Sequence, residues 1–147
     1  DLDHRAVYSG DNFGICYREF DTDRGPFMLP TTTPVQFEPE VLHATIDRLM
    51  SYRPERIFQT HFGPVTDLER LAGDLHAALR ELVRIARSHA VAPDRRMRIE
   101  QEMFDYFNAK LDAHGYAGDL ARRHAFIDDD VRLNTAGLEV WLDRSRG

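Results

Sequence analysis

The chain has 147 residues, 42% hydrophobic and 30% charged, which is enough apolar material for one ordinary core and excludes a chain that stays unfolded for lack of it. Its 19 Lys and Arg against 25 Asp and Glu leave a net charge of -6, and the basic pairs Arg95-Arg96 and Arg122-Arg123 have acidic residues close by, so no nucleic-acid footprint is expected. No apolar run approaches the roughly 20 residues that span a bilayer, so no membrane partner is expected; the single cysteine, Cys16, can form neither an internal disulfide nor a zinc finger, so a reducing cytoplasm is the expected compartment.

In chain order, Arg5 to Ser9 reads as a strand that stops at Gly10-Asp11, because β-branched and aromatic residues give way to a turn pair. Asp1 is not a Met and the chain enters this strand almost at once, as if a preceding part of the protein were absent. From Asn12 to Phe37 the sequence has no sustained period and is rich in Gly, Pro and Thr. Its aromatics, Phe13, Tyr17, Phe20, Phe27 and Phe37, argue for an ordered loop packed onto something. A helix follows with Pro39 in its first turn and Val41, Leu42, Ile46, Leu49 and Met50 at helical spacing, ending before Pro54. Arg56 to Thr60 reads as a second strand, followed at once by His61 and a Gly63-Pro64 turn.

Beyond Val65 the pattern is helical. Thr66 and Glu69 suggest a capping box opening a long helix with Leu68, Leu71, Leu75, Leu79, Leu82 and Ile85. Pro93-Asp94 opens another, with Met97, Ile99, Met103, Phe104, Phe107 and Leu111 as its apolar set and Gly115 as its stop. A last helix runs through Val131, Leu133, Leu138, Val140, Trp141 and Leu142. Two regions are expected: residues 1–66, a strand-loop-helix-strand part, and residues 67–147, a helical extension packing on it.

Asp11 and His61 stand out, each at the C-terminal end of a strand and each followed by a glycine-containing turn. Strand ends are where α/β folds assemble sites, and a carboxylate with an imidazole can ligate zinc or iron. By spacing alone the plainer reading weighs more, with Asp11 capping a turn and His61 a hydrogen-bonded core residue. Tyr17, Arg18 and Glu19 follow the Asp11 turn and are candidates to line a substrate pocket or form a packed lid; Thr31, Thr32 and Thr33 are candidates to donate hydroxyl hydrogen bonds to a ligand or, before Pro34, ordinary extended-loop residues. His43, His76, His89, His114 and His124 read as helical and mostly surface residues, and Cys16 as loop packing.

The order and context of two motifs carry a resemblance. Val7-Tyr8-Ser9-Gly10-Asp11-Asn12-Phe13-Gly14 is similar to the metallo-β-lactamase-superfamily element whose Gly-Asp supplies a metal-bridging carboxylate, and Gln59-Thr60-His61-Phe62-Gly63 resembles the superfamily's final histidine motif. Cys16-Tyr17-Arg18-Glu19-Phe20-Asp21 and Thr31-Thr32-Thr33-Pro34-Val35-Gln36-Phe37 resemble a bacterial subgroup of its generic metallo-hydrolases.

The resemblance implies an α/β class, as the C-terminal half of an αββα sandwich followed by a helical extension. It further implies two divalent metal ions, zinc first and iron or manganese next, with Asp11 bridging them and His61 holding the second. A hydroxide held between the ions would attack a small-molecule ester, thioester, lactam or phosphoester. The family's His-x-His-x-Asp-His motif does not occur in this sequence, so the metal site is expected to be incomplete and the chain alone inactive. The alternative is a non-catalytic helical interaction or dimerisation module, and an exposed apolar surface would favour self-association in either case.

Overall fold

The structure is a computed structural model and describes residues 5–32 and 37–145. The fold is mixed α+β and mostly helical, with four α-helices and one three-stranded sheet among the described residues. It divides into two compact units, Asp1–Thr31 with Pro39–Leu79 and Thr32–Glu38 with Arg80–Gly147. No described helix is long and apolar enough to cross a membrane.

The first unit contains strand β1 (Ala6–Gly10), helix α1 (Pro39–Ser51), strands β2 (Arg56–Gln59) and β3 (Pro64–Val65), and the beginning of helix α2 (Leu68–Ser88). β1 and β2 are parallel, as the intervening helix requires, with Ala6, Val7 and Tyr8 opposite Arg56, Ile57 and Phe58. The register then slips: Gly10 is the residue opposite Gln59, leaving Ser9 as an extra residue on β1. Such a bulge bends a strand and re-aims the residues beyond it, of which Asp11 is the first after the strand end. β3 adds antiparallel to β2 through Ile57 with Val65 and Phe58 with Pro64, where the sequence suggested only a turn; two residues are too few for any period to show.

The stretch after β1 is ordered without being regular. Asp11–Phe13 and Arg18–Phe20 each make one 3-10 turn, and Ile15 pairs with Leu29 across the loop between them. Phe13, Cys16, Phe20 and Leu29 of this stretch are fully buried, as are Ile46 of α1 and Ile57 of β2. Burial pushes the Cys16 thiol up to about 11, which keeps it protonated and inert near neutral pH. α1 buries only Pro39 and Ile46 fully, and Val41, expected on its inner face, is 63% exposed. α2 begins at Leu68 rather than at a Thr66 cap. The residue before it, Asp67, has φ 58° and accepts from the Leu71 N–H through its backbone oxygen while its carboxylate pairs with Arg70.

The second unit is built from the remainder of α2, α3 (Arg95–His114), α4 (Leu120–Arg144) and the segment Thr32–Glu38. Leu82, Ile85, Ile99, Met103, Phe107, Leu111, Ile127 and Leu138 form its apolar centre. α3 ends at Gly115 with φ 84°, the left-handed cap expected from sequence, and α4 opens on Asp119, whose carboxylate accepts from the Arg122 N–H. α4 begins well before Val131, the first position the apolar pattern marks. Three residues assigned to the inner stripes point out instead: Met97, Leu133 and Val140 are 63%, 58% and 36% exposed. Ile127, Val131, Leu138, Trp141 and Leu142 make the buried face of α4, together with Asn134 and Thr135.

Candidate functional site

Asp11 and His61 lie beyond the ends of neighbouring parallel strands. Gly10, the last residue of β1, stands opposite Gln59, the last of β2, and the Thr60 N–H donates to the Gly10 carbonyl at 3.4 Å. Each candidate ligand is therefore the residue immediately after one partner of that backbone bond, on strands whose spacing is about 4.8 Å. Both residues are solvent-exposed. Strand ends far apart in sequence become neighbours in this way through the parallel pairing that α1 makes possible.

Several contacts shape the Asp11 turn. Gly10 (φ 59°, ψ -139°) and Gly14 (φ 63°, ψ -163°) bracket it in backbone regions that L side chains rarely adopt. At Gly14 a Cβ would meet the Leu29 carbonyl oxygen at 2.5 Å and the Met28 sulfur at 2.7 Å, so glycine is required by space as well as by conformation. The Asn12 amide donates to the Ser9 carbonyl at 3.2 Å, and the Thr31 hydroxyl donates to the Asp11 carbonyl at 2.6 Å. Gln59 Nε2 reaches from β2 to the Phe13 carbonyl at 2.8 Å; the residue is 6% exposed, and its Oε1 has no partner among the described residues. Gln59 of the Gln-Thr-His stretch thus ties the end of β2 to the turn that carries Asp11.

The His61 turn is held from the opposite side. Phe62 has φ 69°, an uncommon conformation for a bulky residue and one that costs about 1–3 kcal/mol unless its surroundings impose it. Arg18 imposes it by donating from Nε to the Phe62 carbonyl at 2.9 Å and from Nη2 to the Pro64 carbonyl at 2.7 Å. Tyr17 lays its ring against that of Phe62 at 4.5 Å between centroids, and Asp21 lies 3.6 Å from the Arg18 guanidinium.

Of the substrate-loop candidates, Tyr17 and Arg18 are therefore placed against the His61 turn, with Arg18 engaged in holding its backbone, while Glu19 is exposed beside them. The structure places Thr32 elsewhere. It is 3% exposed in the second unit, where its N–H donates to Asn134 Oδ1 at 2.7 Å and its hydroxyl to the Asn134 carbonyl at 2.9 Å. That hydroxyl is committed to α4 and is not available to a ligand. Thr33 lies outside the described residues.

A carboxylate and an imidazole suit zinc, iron or manganese. Among the described residues no group of three or more His, Cys, Asp or Glu side chains is placed to hold a metal ion. Sequence reasoning gave Asp11 and His61 through their strand-end positions but missed Gln59, Thr31 and Arg18 as the residues that fix the two turns, since side chain to backbone bonds between distant segments leave no periodic trace. Comparison with known protein families, with curated proteins and with solved structures found no match to the chain.

Proposed function

We propose that the chain is the C-terminal part of a metal-dependent hydrolase of the metallo-β-lactamase fold, with Asp11 and His61 as two of its metal ligands. The observation that carries this reading is the common ending of the parallel strands β1 and β2 at Gly10-Asp11 and Thr60-His61. Two kinds of backbone strain, at the Ser9-Gly10 bulge and at Phe62, sit beside the two candidate ligands, and strain of this sort gathers at working sites. Among the described residues β1 is an edge strand, and Tyr8 is 71% exposed on it, stacked on Phe58 at 4.9 Å. An apolar edge of this kind suits continuation of the sheet by further protein, or self-association of the chain.

In the complete site, divalent ions bound by Asp11, His61 and ligands outside this chain would supply Lewis acidity and an activated water to an ester, thioester, lactam or phosphoester. The chain's own part is positional. Gln59 and Thr31 hold the turn that bears Asp11, Arg18 holds the turn that bears His61, and the role proposed for Tyr17 and Glu19 is to border the path of a small-molecule substrate. The reducing cytoplasm is the compartment proposed, since the single cysteine, Cys16, can form no internal disulfide.

Metal content per chain after purification without chelators, compared among the chain, Asp11→Ala and His61→Ala, tests the ligand assignment. Zinc, iron or manganese diminished in both variants supports it, and content unaffected by either removes it. The chain alone is expected to show no hydrolysis, and metal-dependent turnover above that of Asp11→Ala would refute that expectation.

A second reading, a helical interaction module, is favoured by one feature of the second unit. Val91 is 89% exposed and Met97 63% exposed beside an open cleft of about 560 Å³ that Pro93, Arg95, Arg96 and Glu139 also line. Light scattering that shows a stable monomer at high concentration would remove dimerisation as the role of that surface.

A further inference from the structure

We propose that His43 and His76 form a separate two-histidine site for a borderline divalent ion such as Zn2+, Ni2+ or Cu2+, with Asp47 orienting His76 from behind. The site uses neither Asp11 nor His61 and does not depend on the function proposed for them.

The two histidines are 33 positions apart, on α1 and α2, yet their Nδ1 atoms face each other at 2.6 Å, with the ring planes 16° apart and 4.8 Å between centroids. On its other side, His76 Nε2 lies 3.1 Å from Asp47 Oδ1. An ionised carboxylate can only accept, so Asp47 fixes the His76 proton on Nε2 and leaves a lone pair on Nδ1, directed at His43. This is the arrangement in which metal-bound histidines are commonly held, one ring nitrogen facing the ion and the other donating to a carboxylate.

The spacing can accommodate an ion with a small movement. A hydrogen bond from a ring N–H ordinarily spans about 2.7–3.2 Å, so 2.6 Å is already short for one between the rings. Two nitrogens each about 2.0–2.1 Å from one ion, at angles between a right angle and the tetrahedral value, stand about 2.9–3.4 Å apart. An opening of about 0.3–0.8 Å, with both rings turned so that their in-plane lone pairs meet at the ion, therefore admits it. Imidazole suits zinc, nickel and copper.

Water completes the shell from the exposed side, since the His76 side chain is 20% and the Asp47 side chain 74% exposed. Glu40 and Asp47, about one helical turn either side of His43 on α1, favour a cation electrostatically. With Asp47 on the far nitrogen of His76, only the two Nδ1 atoms face the ion directly, which is why the cluster is not a three-ligand site.

The test is isothermal titration calorimetry of Zn2+ alone into the untagged full chain at about pH 7.5, repeated in an Asp11→Ala/His61→Ala background. The expected result is one ion per chain at this site in both proteins, weakened at least about tenfold by His43→Ala or His76→Ala. Asp47→Asn should weaken binding by roughly 10- to 100-fold, the usual effect of losing the orienting carboxylate. His43→Gln and His76→Gln, which keep a polar side chain of similar size, serve if the alanine variants melt early by circular dichroism. Absence of zinc binding in the double-variant background would overturn the site and leave a hydrogen-bonded pair; so would binding that the His43 and His76 variants do not change. Failure of the Asp11 and His61 assignment alone would leave the background titration intact.

Discussion

The two units achieve order in different ways. In the first, short segments are fixed one by one: glycines at φ 59° and 63°, a phenylalanine at φ 69°, and side chains of Arg18, Thr31 and Gln59 bonded to backbone carbonyls of distant segments. In the second, three helical segments bury regular apolar faces, and much of the polar contact lies outside, as in Arg132 with Asp129 or Arg84 with Glu81 and Glu102. Regular packing is sufficient to make a stable helical unit. Locally imposed, strained turns make sense where particular side chains must be aimed, which locates the candidate site in the first unit.

The largest expected effect breaks the first kind of order. Gly14→Ala places a Cβ at 2.5 Å from the Leu29 carbonyl and forces alanine into a nearly glycine-only conformation. A loss of about 3 kcal/mol is expected from strain and overpacking, read by urea denaturation. Two helix glycines sharpen the contrast, because Gly→Ala within a helix ordinarily stabilises by about 1 kcal/mol. Gly73 has open space within 4 Å of where a Cβ would stand and should follow the rule; Gly137 would drive its Cβ to 2.5 Å from the Thr32 carbonyl and should reverse it, with a net loss of about 1–2 kcal/mol. Equal signs for the two, compared by thermal melts, would show that the Thr32 segment gives way freely.

Arg18→Ala should cost about 1–2 kcal/mol and speed amide exchange selectively around residues 62–65, because it removes two charge-assisted bonds from that backbone. At the surface of the second unit, Arg132→Ala should change stability by less than about 0.5 kcal/mol, since both it and Asp129 are more than half exposed. Glu102 sharpens the same point through pH. Hydrogen bonds from Arg84 and His89 hold its carboxyl below the ordinary value of 4.5, so its contribution is present above that pH and lost as pH falls through the lowered value. Glu102→Gln should accordingly flatten the acid limb of the stability profile below pH 4.5, measured by urea titration at several pH values.

The sequence disclosed these two kinds of order unequally. Helical stripes such as Leu75, Leu79, Leu82 and Ile85 are legible because burial recurs every three or four residues, and Gly115 is legible because a left-handed cap has its own residue preference. The same stripes misplace Met97, Leu133 and Val140, since hydrophobic type alone does not say which edge of a helix is covered. Gly10-Asp11 and Thr60-His61 could be read as strand ends. The bulge at Ser9, the Arg18 bonds to residues 62 and 64, and the His43–His76 approach could not, because each depends on which distant segments become neighbours.

The measurement that tests the central claim most directly is a Zn2+ titration followed by NMR, observing the His61 ring and the Asp11 amide together. The account predicts that both shift along one binding curve, weak because the ligand set is incomplete, and that Asp11→Ala abolishes the His61 response while leaving any response at His43 and His76 in place. A His61 ring that titrates identically in the chain and in Asp11→Ala, or an Asp11 that does not respond at all, would contradict the claim that the two strand ends address a common metal site.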